Sequence, residues 1–120
     1  MRILIADPQL SVRSALKIFL LQEPDLTVVA EASDSQELLA KIETAHPDLV
    51  LLDWELPGQP IETVLPSLRA IDPQLAAIAL SGRSESERIA LAAGANAFVS
   101  KTDPPARLLT AIRVIQLDHD

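Results

Sequence analysis

Short aliphatic runs alternate along the chain with longer segments whose apolar side chains recur every three or four positions. The runs are Ile3 to Ala6, Thr27 to Ala30, Leu49 to Leu52, Ala76 to Leu80 and Ala97 to Val99. Each is strand-sized and apolar enough to be buried on both faces. Between and after them lie five candidate helices. The first buries Val12, Ala15, Leu16 and Phe19, and the second buries Leu38, Leu39 and Ile42 behind a capping pair of Asp34 and Glu37. The third carries Ile61, Val64, Leu65, Leu68 and Ile71, with Pro66 expected to break or kink it unless it lies in a first turn. The fourth is predicted to start at Ser84, with Glu87 three residues on, and to stop at Gly94. The fifth follows Asp103 as N-cap and Pro104 as first helical residue, and buries Leu108, Leu109, Ile112 and Ile115.

Strands alternating with helices predict an α/β fold, a parallel sheet covered on both faces by right-handed crossovers. Of the two common doubly wound arrangements, the flavodoxin-like order 2-1-3-4-5 suits five strands in 120 residues. The length is that of one domain with one continuous sheet, and no internal linker divides it.

Composition narrows the chemistry. Hydrophobic residues make up 48% of the chain but include only two Phe, one Trp and no Tyr, so the core is aliphatic. There are no cysteines and only two histidines, His46 and His119, which excludes disulfides, thiol catalysis and a His-rich metal centre. Any metal would be a hard ion bound through oxygen. The net charge of −7, with no basic run, argues against nucleic-acid binding by this segment. No apolar run reaches membrane-spanning length and no signal-peptide pattern opens the chain, so a cytoplasmic location is expected.

In a doubly wound sheet the ligand site lies beyond the carboxyl ends of the strands. The residues at those ends are Asp7, Glu31, Asp53, Ser81 and Lys101. Strand 2 is predicted at the edge, which leaves Asp7, Asp53, Ser81 and Lys101 to converge. Two carboxylates can hold a divalent cation such as Mg²⁺, and one can attack phosphorus to form an acyl phosphate. An ammonium and a hydroxyl can then stabilise the transferring charge. Asp53 is the central candidate nucleophile. Trp54, beside it, is expected to be partly exposed.

The segments Arg2-Ile-Leu-Ile-Ala-Asp7, Pro47-Asp-Leu-Val-Leu-Leu-Asp53-Trp-Glu-Leu-Pro57-Gly58, Leu80-Ser81-Gly82 and Gly94-Ala-Asn-Ala-Phe98-Val-Ser-Lys101 resemble the receiver domain of two-component response regulators. The resemblance spans nearly the whole chain. Around Asp53 and Lys101 it is most similar to the branch with a C-terminal helix-turn-helix. It implies one receiver domain over residues 1–120, with no effector domain in this chain. It further implies phosphorylation of Asp53 by a histidine kinase or phosphotransfer protein, Mg²⁺ ligation by Asp7, Asp53 and the backbone carbonyl of Glu55, and phosphate contact by Lys101. Ser81 and Phe98 match the hydroxyl and aromatic positions that move together in the family's switch. Homodimerisation is a further family trait. Thr102 follows the lysine where many members have proline, which weakens the expectation of a cis peptide.

The chain departs from the family at Pro8. That position usually holds a second acidic residue that ligates the metal, and proline offers neither a carboxylate nor an N–H. Weaker Mg²⁺ binding and slower phosphorylation follow, unless Asp7 shifts inward or the Glu55 side chain substitutes. A pseudo-receiver that binds partners without phosphorylation therefore stays open. A flavodoxin-like cofactor domain is a third reading, but the turn Asp7-Pro8-Gln9-Leu10 lacks the glycines or hydroxyls that cradle a phosphate.

Overall fold

A computed structural model describes residues 1–119. The strands are β1 (Arg2–Ala6), β2 (Thr27–Ala32), β3 (Leu49–Asp53), β4 (Ala76–Ser81) and β5 (Ala97–Ser100). The helices are α1 (Leu10–Leu20), α2 (Ser35–Ala45), α3 (Ile61–Ile71), α4 (Ser86–Ala92) and α5 (Pro105–His119). All neighbouring strands pair in parallel, in the order β2-β1-β3-β4-β5. The expected fold class is observed.

The period-two alternation of strand side chains divides the core cleanly. Leu4, Ala6, Val50, Leu52, Ala77 and Ala79 face one side and pack with Leu38, Ile42, Val64, Leu65, Leu68 and Ala90 of α2, α3 and α4. Ile3, Ile5, Leu49, Leu51, Ala76 and Ile78 face the other and pack with Leu20 of α1 and Leu108, Ile112 and Ile115 of α5. The three central strands are thus buried on both faces, which is why they read as unbroken apolar runs. Fixed so firmly, their carboxyl ends form a rigid rim.

Local chemistry sets the helix boundaries. At α2 the Asp34 carboxylate accepts the Glu37 N–H at 2.8 Å, but the Glu37 carboxylate reaches back to the N–H of Ser33 at 3.0 Å rather than to that of Asp34. His46, at φ 48°, closes that helix in the left-handed region. The fourth helix starts at Ser86, two residues later than expected. A turn spans the gap, with Ser86 N–H on the Arg83 carbonyl and Glu87 N–H on that of Ser84. Gly94, at φ +111°, turns the chain out of this helix as predicted.

The fifth helix also starts one residue late. A residue before proline is pushed out of helical conformation, so in Pro104-Pro105 only the second can open the helix. Asp103 is accordingly not the N-cap, and its carboxylate accepts the Ser100 N–H at 3.2 Å. The Lys101–Thr102 peptide is trans, as are all others described.

Pro66 does not break α3, which runs through it from Ile61 to Ile71. The ring is on the exposed side, where water can satisfy the carbonyl that loses its partner, while Ile61, Val64, Leu65 and Leu68 bury the opposite face. The adjacent hydroxyl of Ser67 donates to the Thr63 carbonyl at 3.0 Å. Burial of the apolar stripe outweighs the lost backbone bond. Pro66→Ala is therefore expected to stabilise the protein by on the order of 2 kcal/mol, seen as a higher urea midpoint with unchanged slope. An unchanged or lower midpoint would show that the proline is not a local defect.

Candidate functional site

Backbone pairing continues just past the strands and places the site residues. Asp7 N–H donates to the Ala32 carbonyl at 2.9 Å, Trp54 N–H to that of Leu80 at 2.8 Å, and Lys101 N–H to that of Ser81 at 2.9 Å. Asp7, Asp53 and Ser81 are 1%, 4% and 0% exposed, respectively. Three polar side chains so enclosed at the end of an apolar sheet need specific partners.

Each aspartate divides its oxygens between backbone and cation. Asp7 Oδ1 accepts the Gln9 N–H at 2.8 Å, and Asp53 Oδ1 accepts the Glu55 N–H at 3.0 Å. The other two oxygens meet at Lys101, whose Nζ lies 2.7 Å from Asp7 Oδ2 and 3.2 Å from Asp53 Oδ2. Burial alone would lower the Lys101 pKa, but the hydrogen bond to Asp7 and the nearby Asp53 charge outweigh it and hold the pKa above its ordinary value. One ammonium thus serves two carboxylates, and the trio carries a residual negative charge.

Ser81 is equally committed. Its hydroxyl lies 2.9 Å from both carboxylate oxygens of Glu55, accepts the Arg83 N–H at 3.0 Å and is 3.5 Å from Ser86 Oγ. The Glu55 side chain thereby adjoins the site, on Ser81; the sequence offers it only as a stand-in metal ligand beside its backbone carbonyl. Ser86, buried beside Ser81, carried no signal of its own.

Asp7, Asp53 and Lys101 meet as expected, Ser81 is joined to them only through Glu55, whose N–H is on Asp53, and Glu31 does not join them. Glu31 lies within β2 and pairs with Arg13 at 2.9 Å and Lys17 at 3.0 Å. The hydrogen bond from Lys17 lowers its pKa, with burial opposing and Arg13 adding to the effect. Arg13 also donates to the Asp7 carbonyl at 2.6 Å. Pro8 is exposed, and its side chain carries no oxygen that could replace a carboxylate. Phe98 is partly buried against the core beneath α4.

Trp54 corrects an expectation: it is buried, 7% exposed, in the core with Leu56 and Ile61. The signal was present, because Val50, Leu52, Trp54 and Leu56 continue one period-two face beyond the end of the strand.

The donor set suits a hard divalent cation in part. Two carboxylates and nearby backbone carbonyls are oxygen ligands of the right kind. Among the described residues, no three His, Cys, Asp or Glu side chains come together, so the protein's side-chain share is these two aspartates.

A doubly wound sheet with an acidic pair, a lysine and a hydroxyl on its carboxyl rim defines a flavodoxin-like domain built around a charged pocket. The family model for the response regulator receiver domain matches residues 3–113, and the chain belongs to that family. It is 35% identical over 117 residues to the uncharacterized transcriptional regulatory protein YhcZ of Bacillus subtilis (strain 168), covering 95% of this chain and 54% of that protein. It is 32% identical over 112 residues to the nitrate/nitrite response regulator protein NarL of Escherichia coli (strain K12), covering 92% and 52%. The chain spans about half the length of these relatives. A two-component response regulator of the LuxR family from Aurantimonas sp. SI85-9A1 superposes with TM-score 0.87 at 30% identity, covering 95% of this chain and 83% of that one. A CheY-like receiver domain protein from Methanospirillum hungatei JF-1 gives 0.82 at 30% identity, covering 98% and 94%.

Removing the ammonium would leave two enclosed carboxylates facing each other. Lys101→Met is expected to lower stability at pH 7 by on the order of 2 kcal/mol in chemical denaturation, less than for a fully buried pair because the lysine is partly exposed. Since the folded-state pKa is raised, this contribution is complete below the unfolded lysine pKa and is lost as pH rises through the folded one. The gap between wild type and Lys101→Met should therefore close in strong alkali. A gap that widens there would contradict the bridging role.

Proposed function

We propose that the chain is the phosphoacceptor receiver domain of a two-component response regulator, with Asp53 as the residue phosphorylated. The observation that carries this reading is the shared lysine: Lys101 Nζ contacts Asp53 and Asp7 together at the carboxyl ends of the central strands. An Asp53 oxygen attacks the phosphorus of a kinase's or phosphotransfer protein's phosphohistidine. The P–O bond forms, the P–N bond breaks, and the imidazole leaves with the electron pair and takes up a proton. Lys101 shifts its hydrogen bonds toward the phosphoryl oxygens, and the Ser81 hydroxyl donates to another. Asp7, Asp53 and the Glu55 carbonyl would hold Mg²⁺, which neutralises charge between the two anions when bound.

The output is a change of surface rather than turnover of a substrate. Movement of Ser81 toward the phosphoryl group draws on the neighbouring β5 residue Phe98 and alters the face around α4, β5 and α5, where a partner or a second copy docks. Kinship to transcriptional regulators supports a role in a longer DNA-binding protein, with the acidic receiver itself not touching DNA. Among the described residues no helix is long and apolar enough to cross a membrane, and a cytoplasmic setting fits this role.

Pro8 favours a second reading, a pseudo-receiver whose contacts ignore phosphorylation. Incubation with phosphoramidate and Mg²⁺ separates the two. Intact-mass measurement is expected to show one added phosphoryl group on wild type, removed by hydroxylamine, and none on Asp53→Asn. Failure of the wild type to gain mass would favour the pseudo-receiver.

A further inference from the structure

The Glu55 carboxylate is placed unusually for a surface acid beside a charged pocket. No ion pair to it occurs among the described residues, whose cations instead serve Asp7, Asp53, Glu23, Asp25, Glu31 and Glu37. A hydroxyl is a weaker partner for an anion than a cation is. Glu55 is also tied to the acidic pair by its backbone, since its N–H donates to Asp53 Oδ1 at 3.0 Å. Its residue is exposed.

Proton counting makes this contact consequential. The Ser81 hydroxyl has one proton, and with both Glu55 oxygens at 2.9 Å that proton is directed at Glu55. The hydroxyl oxygen also accepts the Arg83 N–H at 3.0 Å. Ser81 cannot donate to a phosphoryl group on Asp53 while Glu55 holds its proton. Meanwhile Pro8 leaves the pocket with two carboxylates.

We propose that Glu55 supplies the carboxylate that Pro8 withholds: its side chain leaves Ser81 for a divalent cation held by Asp7 and Asp53, and so releases the Ser81 proton. This rests on the receiver reading given above and deepens it. Cation binding and readiness of the switch hydroxyl become a single event, carried by one side chain. The same movement explains how a pocket lacking one acidic residue can still hold Mg²⁺.

The test is a cycle of Mg²⁺ titrations by calorimetry on wild type, Glu55→Gln, Pro8→Asp and the double variant, at one pH and ionic strength. Both positions are exposed, so the variants should fold. Glu55→Gln is expected to weaken Mg²⁺ binding by at least about tenfold in the wild-type background and by less than about twofold once Asp stands at position 8. Equal losses in both backgrounds would show that the Glu55 charge acts only from a distance, and would overturn the proposal. So would no loss, or no Mg²⁺ binding by the wild type.

Amide NMR reads the release directly. The Arg83 N–H, bonded to Ser81 Oγ, is expected to shift on Mg²⁺ saturation in wild type but not in Pro8→Asp, where Glu55 stays docked. A still resonance in wild type would overturn the release. The phosphoryl mass measurement keeps the two readings apart: uptake by Asp53 with no Glu55 effect would sink this proposal alone, whereas no uptake and no Mg²⁺ binding would sink both.

Discussion

The Lys101 ammonium, held between Asp7 and Asp53, is the contact on which the charged rim depends. Two aspartates almost without solvent exposure at the end of an aliphatic sheet would repel each other and lose their hydration. Lysine answers both, at 2.7 and 3.2 Å, and each carboxylate's remaining oxygen takes a backbone N–H two residues on. The hydrogen bonds of the pocket are therefore satisfied, with one lysine facing two carboxylates.

That arrangement is possible only because the sheet is rigid beneath it. The lysine follows β5 and reaches past β4 to the ends of β3 and β1, so four strands must keep their register for the bridge to form. Their register is fixed by packing on both faces: a slip of one residue would exchange the aliphatic sets that face α1 and α5 with those that face α2, α3 and α4. Hydrophobic order in the core is thus converted into positional order at the rim.

Much of this was legible in the sequence, and for physical reasons. Buried parallel strands leave unbroken apolar runs, and their ends name Asp7, Asp53, Ser81 and Lys101 without reference to coordinates. Boundaries set by neighbours rather than by composition were harder to read. Pro104 looked like a first helical residue until Pro105 beside it is considered, and Pro66 looked like a breaker because sequence does not say which side of a helix meets water. Trp54 was expected to be partly exposed beside a polar site, although its two-residue spacing from Leu52 puts it in the core. The Glu55–Ser81 contact had no signal, since it joins side chains 26 residues apart through a rotamer choice.

Membership of the receiver family and the departure at Pro8 pull in opposite directions. Family kinship supplies the expectation of an acyl phosphate, and the lysine bridge holds the Asp53 carboxylate beside a cation. The most direct test is a crystal structure of the wild-type chain with Mg²⁺ and beryllofluoride. The expected result is a trifluoroberyllate joined through beryllium to an Asp53 oxygen, with Lys101 Nζ and Ser81 Oγ both turned to its fluorides and Glu55 no longer on Ser81. An empty Asp53, with Lys101 still bridging the two aspartates at saturating beryllofluoride, would contradict a phosphoacceptor role.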